Sequence, residues 1–225
     1  MKKLLSIILC FTLILSLSAT AFAAELDNAY VEDNIEYLTI YDEENNTVQA
    51  VQRNIITNEC VYGPVITIED ISQVPQTTAL GADVHQDTFL NFEYDIWYDT
   101  AHGDEWNLER PNEIFSQQYF KTYQTTANYD MLRAYKSDVD DLNAAELAAI
   151  PVIGVAAFNI VKAAIVSHAA VTTGGTLTAA AISSIKKAAK ATGAAAVAIG
   201  LVCSTYNDCA LSFKYALNNT DNIHY

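Results

Sequence analysis

Positive charge is scarce in this chain. Its 225 residues carry 12 Lys and Arg against 27 Asp and Glu, a formal net charge of −15. Nucleic acid is therefore excluded as a partner, because binding it needs a positive surface. Cysteine is sparse too. Cys10 lies in an N-terminal apolar stretch, leaving Cys60, Cys203 and Cys209 beyond it, an odd number for an oxidising location. The sequence has no His-Glu-x-x-His, nucleophile elbow, phosphate loop or Cys-x-x-Cys pair, so it reads as a protein with no enzymatic activity, no metal and no cofactor. Beyond the N terminus, long uncharged runs are also missing. Residues 147–161 and 191–207 form runs of 15 and 17, and the run over 163–185 contains a Thr-Thr-Gly-Gly-Thr turn. A stable membrane span needs about 20 strongly apolar residues, so none of the three is a simple transmembrane helix.

What the chain does have begins with an export signal. Lys2 and Lys3 precede an apolar stretch over residues 4–17, and Ala21-Phe22-Ala23 forms a small-x-small cleavage site. Residues 1–23 read as a signal peptide, which predicts a secreted, extracellular protein of bacterial type. The remaining charge is segregated. Residues 24–142 hold 24 acids and 5 bases, and residues 143–225 hold 3 acids and 5 bases. An acidic, polar portion is thus joined near "KSDVDDLNAAE" to an apolar, weakly cationic one.

In the acidic portion, "YLTIY" (37–41) and "VQAVQRNIIT" (48–57) flank the turn "DEENNT" and predict a hairpin. "PVITIEDIS", from Pro64, could supply another strand. The clearest strand is "TFLNFEYDIWY", where Phe92, Tyr94, Ile96 and Tyr98 alternate with Asn91, Glu93, Asp95 and Trp97. Asp99, His102, Asp104 and Glu105 lie close together in sequence, and His85 stands two before Asp87. Such groups could hold a divalent cation or share a proton, but acids so common in this portion read first as a solvated loop.

In the apolar portion, Asn143 and Glu146 have the spacing of a capping box at a helix start. The helix would run to about residue 171, kinked or restarted at Pro151. Gly174 and Gly175 make a hinge, and a second arm follows. Over residues 177–191 that arm is amphipathic: Leu177, Ala181, Ile182, Ile185 and Ala188 share one face, with Ser183, Lys186, Lys187 and Lys190 on the other. Ala189 with Gly193, and Thr192 with Ala196 and Gly200, form four-residue rows for close helix packing. Cys203 and Cys209 flank a polar run that, if it broke the helix, would let them form a disulfide. Two buried thiols in an unbroken helix are the alternative.

The expected fold is therefore α+β: a small acidic β-rich or mixed domain over residues 24–142, then an Ala/Gly-rich helical hairpin and C-terminal helix over residues 143–225. The layout, with "DEWNLERP" (104–111) and "VDDLNAAELAAIPVIGVAA" (139–157), resembles the geobacillin-like large secreted bacteriocins of Gram-positive bacteria. The resemblance implies an extracellular antimicrobial protein without catalysis or cofactor, and it carries over no functional residue. The expected function is membrane-active killing of related bacteria through the hairpin, with Lys186, Lys187 and Lys190 at anionic headgroups. The partner would be a bacterial membrane or a surface receptor on target cells. The competing expectation is a non-enzymatic surface or matrix protein that binds a partner or forms a homo-oligomer.

Overall fold

A computed structural model describes residues 34–68, 81–111 and 119–221; the expected signal peptide lies outside them. Two four-stranded antiparallel sheets come first and four helices follow, so the fold is α+β. The first sheet contains β1 (Ile35–Asp42), β2 (Thr47–Asn54), β3 (Cys60–Tyr62) and β4 (Ile66–Thr67), with β3 and β4 both paired to β2. The second is a meander of β5 (Val84–Asp87), β6 (Glu93–Thr100), β7 (Gly103–Glu109) and β8 (Tyr119–Tyr123). The helices are α1 (Tyr129–Ile153), α2 (Val155–Val171), α3 (Ala179–Ala188) and α4 (Ala194–Asn219), with a short 3-10 turn, Thr173–Gly175, between α2 and α3.

The predicted hairpin is β1–β2, and its turn is built by side chains. Asp42 Oδ1 accepts from the backbone N–H groups of Glu44 at 3.0 Å and Asn45 at 3.1 Å, and Asn46 takes a positive φ of 51°. An aspartate that satisfies the backbone two and three residues on is the usual chemistry of such a turn. In β6, Tyr94 and Ile96 are buried, as is Phe92 just before it, so the alternation places this side toward the core. Tyr98 breaks the pattern and is exposed, because the β6–β7 register shifts between Trp97 and Thr100 and re-aims the strand end.

The helical part differs from expectation at its start. Asn143 and Glu146 lie in the interior of α1, which begins at Tyr129, so they form no capping box. Glu146 is fully buried and reaches sideways to another element (below). The junction expected between residues 142 and 143 consequently falls in the middle of one helix. Pro151 sits in the last turn of α1, and Gly154, at φ 82°, separates α1 from α2. Within one buried cluster, Val48, Phe92 and Phe120 join Phe158, Ile185 and Phe213. Strands and helices therefore share a core among the described residues.

The helices cover the two sheets by different means. Against the second sheet, α4 presents rings: Phe213 meets Phe120 edge-on at a centroid distance of 5.4 Å, and Tyr206 meets Phe92 at 5.4 Å. Phe213 also meets Tyr135 of α1 at 5.7 Å, and the Tyr135 hydroxyl donates to the sheet's Glu93 carbonyl. Offset or edge-on geometry suits the ring quadrupole. Against the first sheet, α2 and α3 use small polar groups. Ser167 Oγ accepts the Ala50 N–H at 2.8 Å and donates to the Pro64 carbonyl at 2.7 Å. Thr39 Oγ1 lies 2.8 Å from both His168 Nε2 and Ser184 Oγ, and Gln52 donates to the Val171 carbonyl. The approach is so close that a Cβ on Gly63 would stand 2.5 Å from the Ser167 carbonyl oxygen.

Candidate membrane-active region

The structure separates the three lysines that the helical periodicity grouped. α3 is capped by Thr178, whose hydroxyl accepts the Ala181 N–H at 3.1 Å. It is held to α4 by Asn207, whose side chain pairs with both the N–H and the C=O of Leu177, at 2.6 and 2.9 Å. That docking turns Lys186 inward. Lys186 is buried, and desolvation lowers its pKa from the usual lysine value. A Cβ on Gly200 would come within 2.9 Å of its Nζ, so the glycine makes room for the ammonium group. Lys187 points to solvent. Lys190 is largely exposed and lies 3.9 Å from Glu43 Oε1. Lys186 is therefore not a headgroup contact in this fold, whereas Lys187 and Lys190 are accessible.

Gly174 and Gly175 lie in the connection between α2 and α3, at φ 79° and 76°, a region that side chains disfavour and glycine enters freely. The small-residue row is broken. Ala189 caps the C-terminal end of α3 and Gly193 precedes α4, while Ala196 and Gly200 belong to α4 itself. Ala196 is buried and Gly200 accommodates Lys186, so these four positions form no single packing seam. Cys203 and Cys209 are free thiols on one unbroken helix. Six residues of helix rise about 9 Å, beyond a disulfide's reach, and the expected bridge is absent for that reason. Burial pushes the Cys203 thiol up to about 12. Cys60 is exposed and also free.

The arm expected to open, α2, is the most enclosed helix. Phe158, Ala164, Ile165, Ser167 and His168 have almost no solvent contact, and burial lowers the His168 pKa to about 4. α4 differs. Its 26 residues extend about 39 Å at 1.5 Å per residue. Among the described residues it is the one helix long and apolar enough to cross a membrane. One side carries Ile199, Val202, Tyr206 and Phe213 into the core, while Leu201, Leu211 and Tyr215 face solvent. Its formal charges are Asp208 and Lys214 alone. The sequence pattern underweighted α4, because the polar run Ser204–Asp208 looked like an end; in the fold Tyr206 is buried and Asn207 binds the neighbouring loop.

The acids and histidines sort differently from their order in sequence. His102 packs against Tyr123, with ring centroids 5.3 Å apart, and Glu105 lies 3.7 Å from Lys121. Asp104 Oδ1 accepts the Asp99 N–H. These four groups do not converge. On the side of the second sheet opposite Tyr94 and Ile96, His85 Nδ1 lies 2.8 Å from the buried Asp95 Oδ1 and 3.6 Å from Glu93 Oε1. Asn107 Nδ2 donates to Asp95 Oδ2 and to Glu109 Oε1, at 3.2 and 2.9 Å. Desolvation, with Glu109 and Asp95 nearby, raises Glu93 to about 7. His85, Glu93 and Asp95 offer donor atoms that one cation could share. Glu93 and Asp95 stand two apart on one strand, a spacing visible in the sequence; the pairing of His85 with Asp95 is set by the β5–β6 register.

Glu146, which the spacing assigns to a capping box, instead serves a distant turn. Its carboxylate accepts the N–H groups of Phe89 and Leu90, at 2.8 and 2.9 Å, and so pins the β5–β6 connection to α1. Burial nevertheless raises its pKa to about 8. No protein-family model matches the chain, and no curated protein or solved structure matches it.

Proposed function

We propose that this chain is an exported, non-enzymatic antibacterial protein that acts on target-cell membranes, with α4 as the element that meets lipid. The observation that carries this reading is the helix itself: 26 residues, two formal charges, and an outward side bearing Leu201, Leu211 and Tyr215. Apolar side chains on an otherwise polar surface favour transfer to an interface by roughly 25 cal/mol per Å² buried. Lys187 and Lys190 add accessible positive charge near the start of α4, each worth up to about 1 kcal/mol at an anionic surface. The hairpin expected to insert is a poorer candidate, because Ser167, His168 and Ser184 tie it to the first sheet.

Dye release from phosphatidylglycerol vesicles tests this. The mature protein should cause leakage, and Leu211→Glu should cut it several-fold while leaving the circular dichroism spectrum unchanged. Intact vesicles at every protein concentration, with intact membrane potential in a panel of Gram-positive cultures, would remove the proposal. A second reading, self-association or partner binding, is favoured by the first sheet's free face. Leu38, Ile40 and Tyr62 are exposed there, opposite α2 and α3. A stable oligomer on sedimentation, inert towards lipid, would select it instead.

A further inference from the structure

The side of the second sheet turned away from Tyr94 and Ile96 gathers groups that neither the core nor contact with lipid employs. The β5–β6–β7 register sets Asp87, Glu93 and Glu109 in one row and His85, Asp95 and Asn107 in the next. Strand alternation turns all six side chains to the same side. His85 Nδ1 stands close to both Asp95 Oδ1 and Glu93 Oε1, and the three donor atoms lie within 4.8 Å of one another.

A hydrogen bond between His85 and Asp95 alone leaves this cluster short of positive charge. Asp95 is 2% exposed, and buried carboxylates are ordinarily paired or bound to a metal. Among the described residues neither Glu93 nor Asp95 has a Lys or Arg nitrogen within 4 Å, and both pair with His85. Glu109, Asp95 and Asp87 oppose ionisation of Glu93, while His85 favours it. One imidazolium carries a single positive charge against four carboxylates. Asn107 is a separate sign. It is 5% exposed, its Oδ1 has no partner, and its Nδ2 donates to Asp95 Oδ2 and Glu109 Oε1. The amide is thus aimed into the cluster and holds Asp95 with Oδ1 towards His85. Hydrogen bonds of this kind orient carboxylates that bind metals.

We infer that His85 Nδ1, Glu93 Oε1 and Asp95 Oδ1 bind one divalent transition-metal ion of the zinc class, with water completing its coordination. The geometry agrees. Ligands about 2.1 Å from a tetrahedral zinc stand roughly 3.4 Å apart, and the two His85 separations, 2.8 and 3.6 Å, bracket that value. Glu93 keeps 21% of its side chain exposed, so the ion has an entry and the carboxylate has room to turn to it. The donor set selects the metal, because imidazole suits zinc and its neighbours whereas calcium and magnesium take oxygen ligands. Bound there, the ion ties β5 to β6 and offsets the crowded acids, whether or not α4 meets lipid.

The test is calorimetric titration of zinc chloride into the whole mature protein, first stripped with EDTA and dialysed, at about pH 7.5, where imidazole is neutral. One equivalent should bind with a Kd of ~10 µM or tighter, and His85→Ala should weaken it at least tenfold. His102→Ala, at the β6–β7 turn and outside the cluster, should leave the affinity unchanged. Imidazole NMR signals of the wild type give a readout that survives a misfolded variant: zinc should shift His85 and spare His102 and His168. Absence of binding up to ~1 mM zinc, zinc shifts at His102 instead of His85, or displacement of zinc by an equal concentration of calcium overturns the inference.

Discussion

The two sheets of this protein are covered by helices in opposite ways. α4 meets the second sheet and α1 through interlocked rings, Tyr206 on Phe92 and Phe213 on both Phe120 and the α1 residue Tyr135. α2 and α3 meet the first through hydroxyls, an imidazole and a glycine. Rings hold by buried area and dispersion, which are large and weakly directional. Hydroxyls at close range add little net energy each, yet they fix geometry, because a displaced partner leaves an unpaired buried group. The Ala-rich composition of α2 thus permits a short, polar and specific interface. α4 is held on one side by rings while its other side exposes Leu201, Leu211 and Tyr215 among Ser204, Asp208 and Lys214. That asymmetry is why α4 is the better candidate for contact with lipid.

The contrast can be broken first at the rings. Phe213→Ala removes the side chain that touches both Phe120 and Tyr135, and it should destabilise by about 3–5 kcal/mol in urea unfolding. A loss below about 1 kcal/mol would mean that the aromatic cluster does not hold α4. Next comes the polar side. Ser167→Ala strands the Ala50 N–H and should cost about 1–3 kcal/mol. Gly63→Ala should cost a similar amount through its clash with the Ser167 carbonyl. Faster amide exchange in β2 than in β7 for both variants would localise the effect to the first sheet.

Smaller over any one pH unit is the titration of the buried groups. Glu93 and Glu146 have folded pKa values raised from 4.5 to about 7 and about 8. Stability should therefore fall as pH rises from the ordinary carboxylate range through those values. His168, lowered from 6.5 to about 4, acts oppositely, its contribution being lost as pH falls below 6.5. Between pH 7 and 8 the His168 contribution is nearly complete and the acids dominate, so the melting temperature should decline across that window. Glu146→Gln should flatten the decline, and an unchanged slope would show that Glu146 ionises there without penalty. Smallest is Lys190→Glu. Its ion pair with Glu43 is long and exposed, so stability should stay within ~0.5 kcal/mol of wild type while anionic-vesicle leakage drops. Unchanged leakage would discard Lys190 as a headgroup contact.

Much of the architecture was legible in short stretches. The period-two run of Phe92, Tyr94 and Ile96 announced β6 and its buried side, and "DEENNT" announced the first hairpin. Gly174-Gly175 marked the turn between α2 and α3. What failed were inferences from one helix treated in isolation. Lys186 shares a periodic face with Lys187 and Lys190, yet α4 supplies Gly200 opposite it and takes it inside. Glu146 has capping-box spacing, yet two backbone N–H groups of a distant turn claim its carboxylate. Cys203 and Cys209 looked separable by a polar run that the helix absorbs.

Charge segregation, α+β order, turn positions and strand periodicity were written in the sequence, because each depends on neighbours within a few residues. Which lysine is buried, which acid pins a loop and which helix leaves Leu201, Leu211 and Tyr215 outside were decided only by tertiary packing. Those outcomes depend on which surfaces, distant in the chain, exclude water from one another, and local spacing carries no record of that.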